Sequence, residues 1–217
     1  MTIHYISEQF SLLNHFLAEI RNIHIQNDSM RFRKNMERIG EIMAYELSKT
    51  LPFTPSEVPT PLGIKHTHVL ADSVVLCSIL RAGLALHNGF MSFFDGAENG
   101  FVSAYRYHEN GSDDFTIKVE YQAAPSFDGK TLILIDPMLA TGQSVVAVLK
   151  QLLKTQRPKT IHIAVVIAAP EGIALLEKEL PDNCHLWVAA LDERLNEKNY
   201  IVPGLGDAGD LAFGSKL

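Results

Sequence analysis

Four stretches of this chain are apolar almost without interruption: residues 74–80, 131–135, 161–168 and 186–191. Val, Ile and Leu dominate them, and short runs without polar alternation read as strands covered on both faces. Helical spacing comes after the first three. Residues 83–90, 142–153 and 171–180 each follow a strand, and in the second of them Val145, Val148, Leu149, Leu152 and Leu153 recur at steps of three, one, three and one. Strands alternating with helices in this way yield a parallel sheet with right-handed crossovers. The expected fold is α/β, a mostly parallel central sheet flanked by helices.

Upstream, Phe32, Met36, Ile39, Met43 and Leu47 step by four, three, four and four, which is one face of an amphipathic helix over 31–50. Arg31, Arg33, Lys34, Glu37, Arg38 and Glu41 form its solvated side. Pro52, Pro55, Pro59 and Pro61 then break regular structure, so 51–63 is expected to be a loop or arm of restricted backbone. Between the first two core strands a period of two appears: Phe115, Ile117, Val119 and Tyr121 alternate with Thr116, Lys118 and Glu120. Asn110-Gly111 supplies a turn against the run 101–107, which predicts a β-hairpin over about 101–122. Such an excursion serves as a lid, as a contact to a second subunit or as plain packing.

The length of 217 residues suits one domain, here 1–217 with an N-terminal helical arm at about 1–63. A net charge of −6 argues against a broad grip on nucleic acid, so any basic site must be focused. No apolar run approaches the roughly 20 residues of a membrane span, and residues 1–10 lack a basic segment leading into an apolar core. A cytoplasmic protein is expected. Cys77 and Cys184 lie in apolar strands without CxxC spacing and read as buried thiols; His66, His68 and His108 read as ordinary surface or loop histidines.

Chemistry concentrates where strands end. Strand 131–135 runs into Asp136-Pro-Met-Leu-Ala-Thr-Gly-Gln-Ser144, a turn feeding a helix. Backbone N–H groups gathered at a helix N-terminus make a socket for phosphate, and Thr141 and Ser144 add hydroxyl donors. Asp136 would repel a phosphate at contact and suits sugar hydroxyls or a metal better. The turn lacks GxxxxGK[ST] and its lysine, so it is not a Walker A loop. Strand 74–80 ends in Arg81-Ala-Gly at the same sheet edge, and Arg106 is a second guanidinium whose planar fork matches phosphate oxygens. Near the C-terminus, 200–210 holds three glycines, a proline and two acids, a constrained segment whose peptide groups can meet a flat ligand edge.

Four motifs, Arg81-Ala-Gly, Asp136-Pro-Met-Leu-Ala-Thr-Gly, Ala168-Ala-Pro-Glu-Gly-Ile and Tyr200-Ile-Val-Pro-Gly-Leu-Gly-Asp-Ala-Gly-Asp, jointly resemble the uracil phosphoribosyltransferases in order and separation. The resemblance runs from about Arg31 to the C-terminus. It implies transfer of a 5-phosphoribosyl group from phosphoribosyl diphosphate to N1 of uracil, giving UMP and diphosphate, a pyrimidine salvage step. It also implies donor binding by Arg81, Arg106, Asp207 and the loop Asp136, Pro137, Met138, Leu139, Ala140, Thr141, Gly142, Gln143 and Ser144. Uracil falls to Ile201, Gly206, Asp207 and Ala208, and Asp207 and Arg81 are the catalytic candidates. Mg²⁺ is expected to be held mainly through the donor diphosphate and water, with no dedicated protein ligand set. Members form homodimers or homotetramers, and some respond to GTP.

This chain departs from the family pattern at Gln143, where a second glycine is usual, at Cys77-Ser78, and at Leu86 and His87. Two alternatives stand beside the main reading: a phosphoribosyltransferase-fold regulator that senses nucleotides and binds RNA, and a transferase for another nucleobase.

Overall fold

The computed structural model describes the chain at 1–108 and 115–216, with side chains at all of these positions except 106–108, 115 and 116. The first part comprises β1 (Thr2–Tyr5), α1 (Leu12–Arg21), α2 (Ser29–Ser48), β2 (Phe53–Thr60) and β3 (Gly63–Leu70). There follow β4 (Val74–Leu80), α3 (Leu84–Met91), β5 (Glu98–His108), β6 (Phe115–Ala123), β7 (Thr131–Ile135) and β8 (Met138–Leu139). The last part holds α4 (Gln143–Leu152), β9 (Thr160–Ala168), α5 (Pro170–Glu179), β10 (Cys184–Leu191), β11 (Arg194–Leu195), β12 (Ile201–Val202) and α6 (Ala208–Phe213).

The main sheet runs β1-β10-β9-β7-β4-β5-β6, parallel throughout except for the antiparallel β5–β6 pair. This is the mostly parallel sheet that the apolar runs predict. Each run divides by parity between two cores. Leu76, Ile133, Ile135, Ala164 and Val166 pack with α1, α2, α3 and α6, whereas Val75, Cys77, Leu132, Leu134, Ile163 and Val165 pack with α4 and α5. With both faces covered, polar alternation has no place in the strands. Cys77 and Cys184 are free and buried; burial pushes their thiols up to about 12 and about 11.

The N-terminal third departs from its expected form. β1 joins the sheet edge alongside β10, and the segment read as a loop or arm forms β2, paired along its whole length with β3. Pro55 and Pro59 are four residues apart and so face the same edge of β2, where a missing N–H costs no ladder bond. A two-stranded ribbon has such an edge to spare. The 101–122 hairpin is rooted inside the sheet, since β5 pairs with β4 from Glu98 to Ser103 before its register with β6 shifts at Ser103/Ala104. The Asn110-Gly111 turn lies outside the described residues. Among the described residues no helix is long and apolar enough to cross a membrane.

Between β4 and β7 the strand order reverses: β5 lies on one side of β4, while β9 and β10 extend beyond β7 on the other. Loops leaving the carboxyl ends of strands diverge at such a point and leave a crevice.

Candidate active site

A cleft of about 490 Å³ opens at this switch point. Arg81, Asp136, Met138, Leu139, Ala140, Thr141, Gly142 and Ser144 line one part of it, and Ile201, Gly206, Asp207 and Ala208 another. Two segments more than fifty residues apart in sequence therefore share one space. Pro137 is buried with its carbonyl accepting from Val166 N–H and Ile167 N–H, both at 3.0 Å, and Gln143 is exposed; neither belongs to the wall. Arg106 has its backbone on β5 opposite Ile117, and its side chain lies outside the described residues.

The 136–144 loop is tied down at both ends. β8 pairs with the end of β9, and Ala169 N–H donates to Leu139 C=O at 2.9 Å. Gly142 has φ +80° and precedes α4 with no side-chain cap, so the helix start keeps its positive end toward the cleft. A Cβ there would lie 2.9 Å from Leu176 Cδ1 and 3.0 Å from Gly172 C=O. The Ala-Pro-Glu-Gly-Ile motif is thus the seat of the loop: a Cβ on Gly172 would approach Ala140 C=O to 2.3 Å. Asp136 sits half-buried at the lip, its Oδ1 accepting from Met138 N–H at 3.3 Å. Burial raises its carboxyl to about 7, against the smaller opposing effect of that N–H.

On the other wall Asp207 caps α6, its Oδ1 accepting from Asp210 N–H at 2.9 Å. Asp210 in turn accepts from Arg81 Nη2 at 2.6 Å, and the same nitrogen donates to Gly214 C=O at 2.8 Å. Arg81 Nε is buried without a partner among the described residues. Arg33, on the solvated side of α2 and exposed, also donates from Nη1 to Ala212 C=O at 2.6 Å and braces α6 from α2.

The departures at Ser78 and His87 are partners. Asn99 Nδ2 donates to Ala97 C=O, which leaves Asn99 Oδ1 as acceptor for His87 Nε2–H at 2.8 Å. His87 Nδ1 then accepts from Ser78 Oγ–H at 3.1 Å, completing a buried chain beneath the Arg81 turn. Burial holds the imidazole below its ordinary value. Sequence reasoning missed Asn199 and Lys216, which line the cleft together with Tyr200 of the 200–210 segment, and it missed Arg21 and Asp192 behind the 201–208 wall. The one available signal for Asp192 was an acid just past the end of an apolar strand, the same placement as Asp136.

The family model for uracil phosphoribosyltransferase matches residues 7–215. A protein of Porphyromonas gingivalis named uracil phosphoribosyltransferase is 49% identical over 217 residues, covering all of both chains. One of that name from Malacoplasma penetrans is 43% identical over 193 residues, 88% of this chain and 91% of its own. A solved structure of a protein from Aquifex aeolicus superposes with TM-score 0.87 at 32% identity, covering 98% of both chains. At 14% identity and TM-score 0.50, a hypothetical protein from Neisseria gonorrhoeae with bound ppGpp shares the fold alone, over 73% of this chain and 80% of its own.

Proposed function

The chain belongs to the uracil phosphoribosyltransferase family, and from that premise we infer that its cleft joins uracil to the 5-phosphoribosyl group of phosphoribosyl diphosphate. The products are UMP and diphosphate. The observation that carries this reading is the meeting of the 136–144 loop and the 201–208 segment in one cleft.

Backbone amides after Leu139 and the start of α4 hold the 5-phosphate, with Thr141 and Ser144 hydroxyls beside them. Asp136 accepts from ribose hydroxyls. Arg81 and Arg106 steady the diphosphate as it gains charge. In the reaction the bond from ribose C1 to the diphosphate oxygen breaks with its electron pair leaving on diphosphate. N1 of uracil bonds to C1 and gives up its proton to the departing diphosphate or to water. The ribosyl centre is positive at the crossing point, so Asp207, which also contacts the donor, stabilises that stage more than the ground state. Most of the acceleration is positional.

Uracil presents acceptor, donor and acceptor at O2, N3 and O4. Fixed peptide groups of Gly206 to Ala208, with Ile201 beside them, match this edge and leave the amino group of cytosine mispaired, a penalty of about 1–3 kcal/mol. Mg²⁺ fits this donor set as part of the substrate: Asp136 and Asp207 are the carboxylates lining the cleft, and the donor diphosphate and water would supply the remaining ligands. When bound it neutralises diphosphate charge, held mainly by the donor and water.

The reading extends to a cytoplasmic homodimer or homotetramer. Exposed Phe53, Val58, Ile64 and Val69 on the β2–β3 ribbon support assembly. GTP is carried as an effector on family grounds.

The test is UMP formation from uracil and phosphoribosyl diphosphate with Mg²⁺, run beside cytosine, hypoxanthine and orotate, with and without GTP. Uracil is expected to lead. Another base preferred by about tenfold or more would overturn the assignment.

A further inference from the structure

Behind the base-side wall, α1 ends in Arg21 and β10 is followed by Asp192. Arg21 Nη2 donates to Asp192 Oδ1 at 2.6 Å and Nη1 donates to Oδ2 at 2.9 Å, a two-bond fork. The Asp192 side chain is 4% exposed and that of Arg21 22%. The pair does not close on itself. Arg21 Nη1 also donates to Gly204 C=O at 2.9 Å, and Gly204 N–H donates to Asp192 Oδ2 at 3.0 Å. One ion pair thus takes both backbone polar groups of a single residue in the 200–210 segment.

That residue is hard to hold by any other means. Gly204 is buried at φ +64°, and a Cβ on it would come within 2.2 Å of Ile201 C=O. It lies between the short β12 and α6, where no sheet ladder or helix supplies partners, yet buried peptide groups require them. Asp192 is itself anchored, its N–H donating to Ala168 C=O at 2.8 Å, while Glu193 N–H reaches Val202 C=O at 3.0 Å. The pair therefore transfers the rigidity of the sheet edge and of α1 to a turn that has little of its own. Two residues later stands Gly206, the first of the peptide groups assigned to the uracil edge.

We infer that Arg21 and Asp192 are positioning residues for base recognition: by fixing Gly204 they set the direction of the peptide groups at 206–208, without touching the substrate. The inference rests on the base-site reading given above. It places the N-terminal helix, which carries none of the recognisable motifs, in the specificity machinery. Main-chain recognition depends on hydrogen-bond angle and distance, so a shift of about half an ångström in the turn weakens several contacts together.

The test is steady-state kinetics of Asp192→Asn, Arg21→Lys and Arg21→Ala with each substrate varied in turn, beside thermal melts. Asp192→Asn is expected to raise KM for uracil about tenfold or more, with KM for the donor within about twofold of wild type. Arg21→Lys keeps the charge, loses the fork and is expected to fall between. If Asp192→Asn does not fold, the lysine variant supplies the same comparison. Folded variants with lowered Tm and an unchanged uracil KM would overturn the proposal, leaving the pair a structural brace; so would equal rises in both KM values. Should wild type prefer another base, the uracil assignment fails, while the same split measured with that base still decides the role of the pair.

Discussion

Asp136→Asn separates the electrostatic burden of the cleft from its chemistry. The carboxyl has an ordinary value of 3.8 and is raised to about 7 in the folded chain. At about 1.4 kcal/mol for each tenfold change in proton affinity, the folded state disfavours the ionised form by roughly 4 kcal/mol, and water in the open cleft reduces this to roughly 2–3 kcal/mol. The sign follows from proton counts. Between pH 4 and pH 7 the native state holds the proton and the unfolded chain has released it, so this group lowers stability as pH rises through that window, levelling off above 7. Asparagine keeps the acceptor for Met138 N–H and removes the titration. Urea unfolding of wild type and variant from pH 4.5 to 8.5 is expected to show a stability difference growing by roughly 2–3 kcal/mol in favour of the variant. A difference constant to within about 0.5 kcal/mol would refute the reasoning. The same logic predicts that donor binding at pH 6 releases a proton, as ribose hydroxyls donate to the ionised carboxylate.

Three further substitutions probe other parts of the cleft. Asp207→Asn retains a good helix cap at α6, so kcat is expected to fall by about a hundredfold or more with Tm nearly unchanged; melts and turnover measured on one preparation check the separation. Gly142→Ala places a Cβ at φ +80° against Leu176 and Gly172, costing about 1–2 kcal/mol for the backbone alone, and is expected to raise the donor KM more than the uracil KM in a two-substrate kinetic comparison. Ser78→Ala deprives His87 Nδ1 of its buried donor and is expected to lower stability by about 1–3 kcal/mol in urea titrations, with the uracil KM unchanged.

The sheet was legible because its strands are buried on both faces, which writes them as unbroken apolar runs; β4 and β7 begin and end where those runs do. The turn at 136–144 was legible for a related reason, since it interrupts such a run with small residues and one acid. Residues 51–63 misled because proline argues against a central strand and says little against a ribbon with a free edge. Arg33 is exposed as its helical face implies, but periodicity does not show that its guanidinium also reaches the α6 backbone. Arg21, and its link to Asp192, were invisible for a deeper reason. Their partner is the backbone of Gly204, more than 180 residues from Arg21, and no spacing in the chain announces a contact between side chain and main chain at that distance.

The central claim is that one cleft holds the phosphate end of a nucleotide on the α4 side and its base on the α6 side. The most direct measurement is a crystal structure of the UMP complex. The account predicts the phosphate within hydrogen-bond distance of backbone amides between 140 and 144, and the pyrimidine edge against peptide groups at 206–208. A nucleotide bound with its phosphate on Arg81 and its base toward α4, or seated outside this cleft, would contradict it.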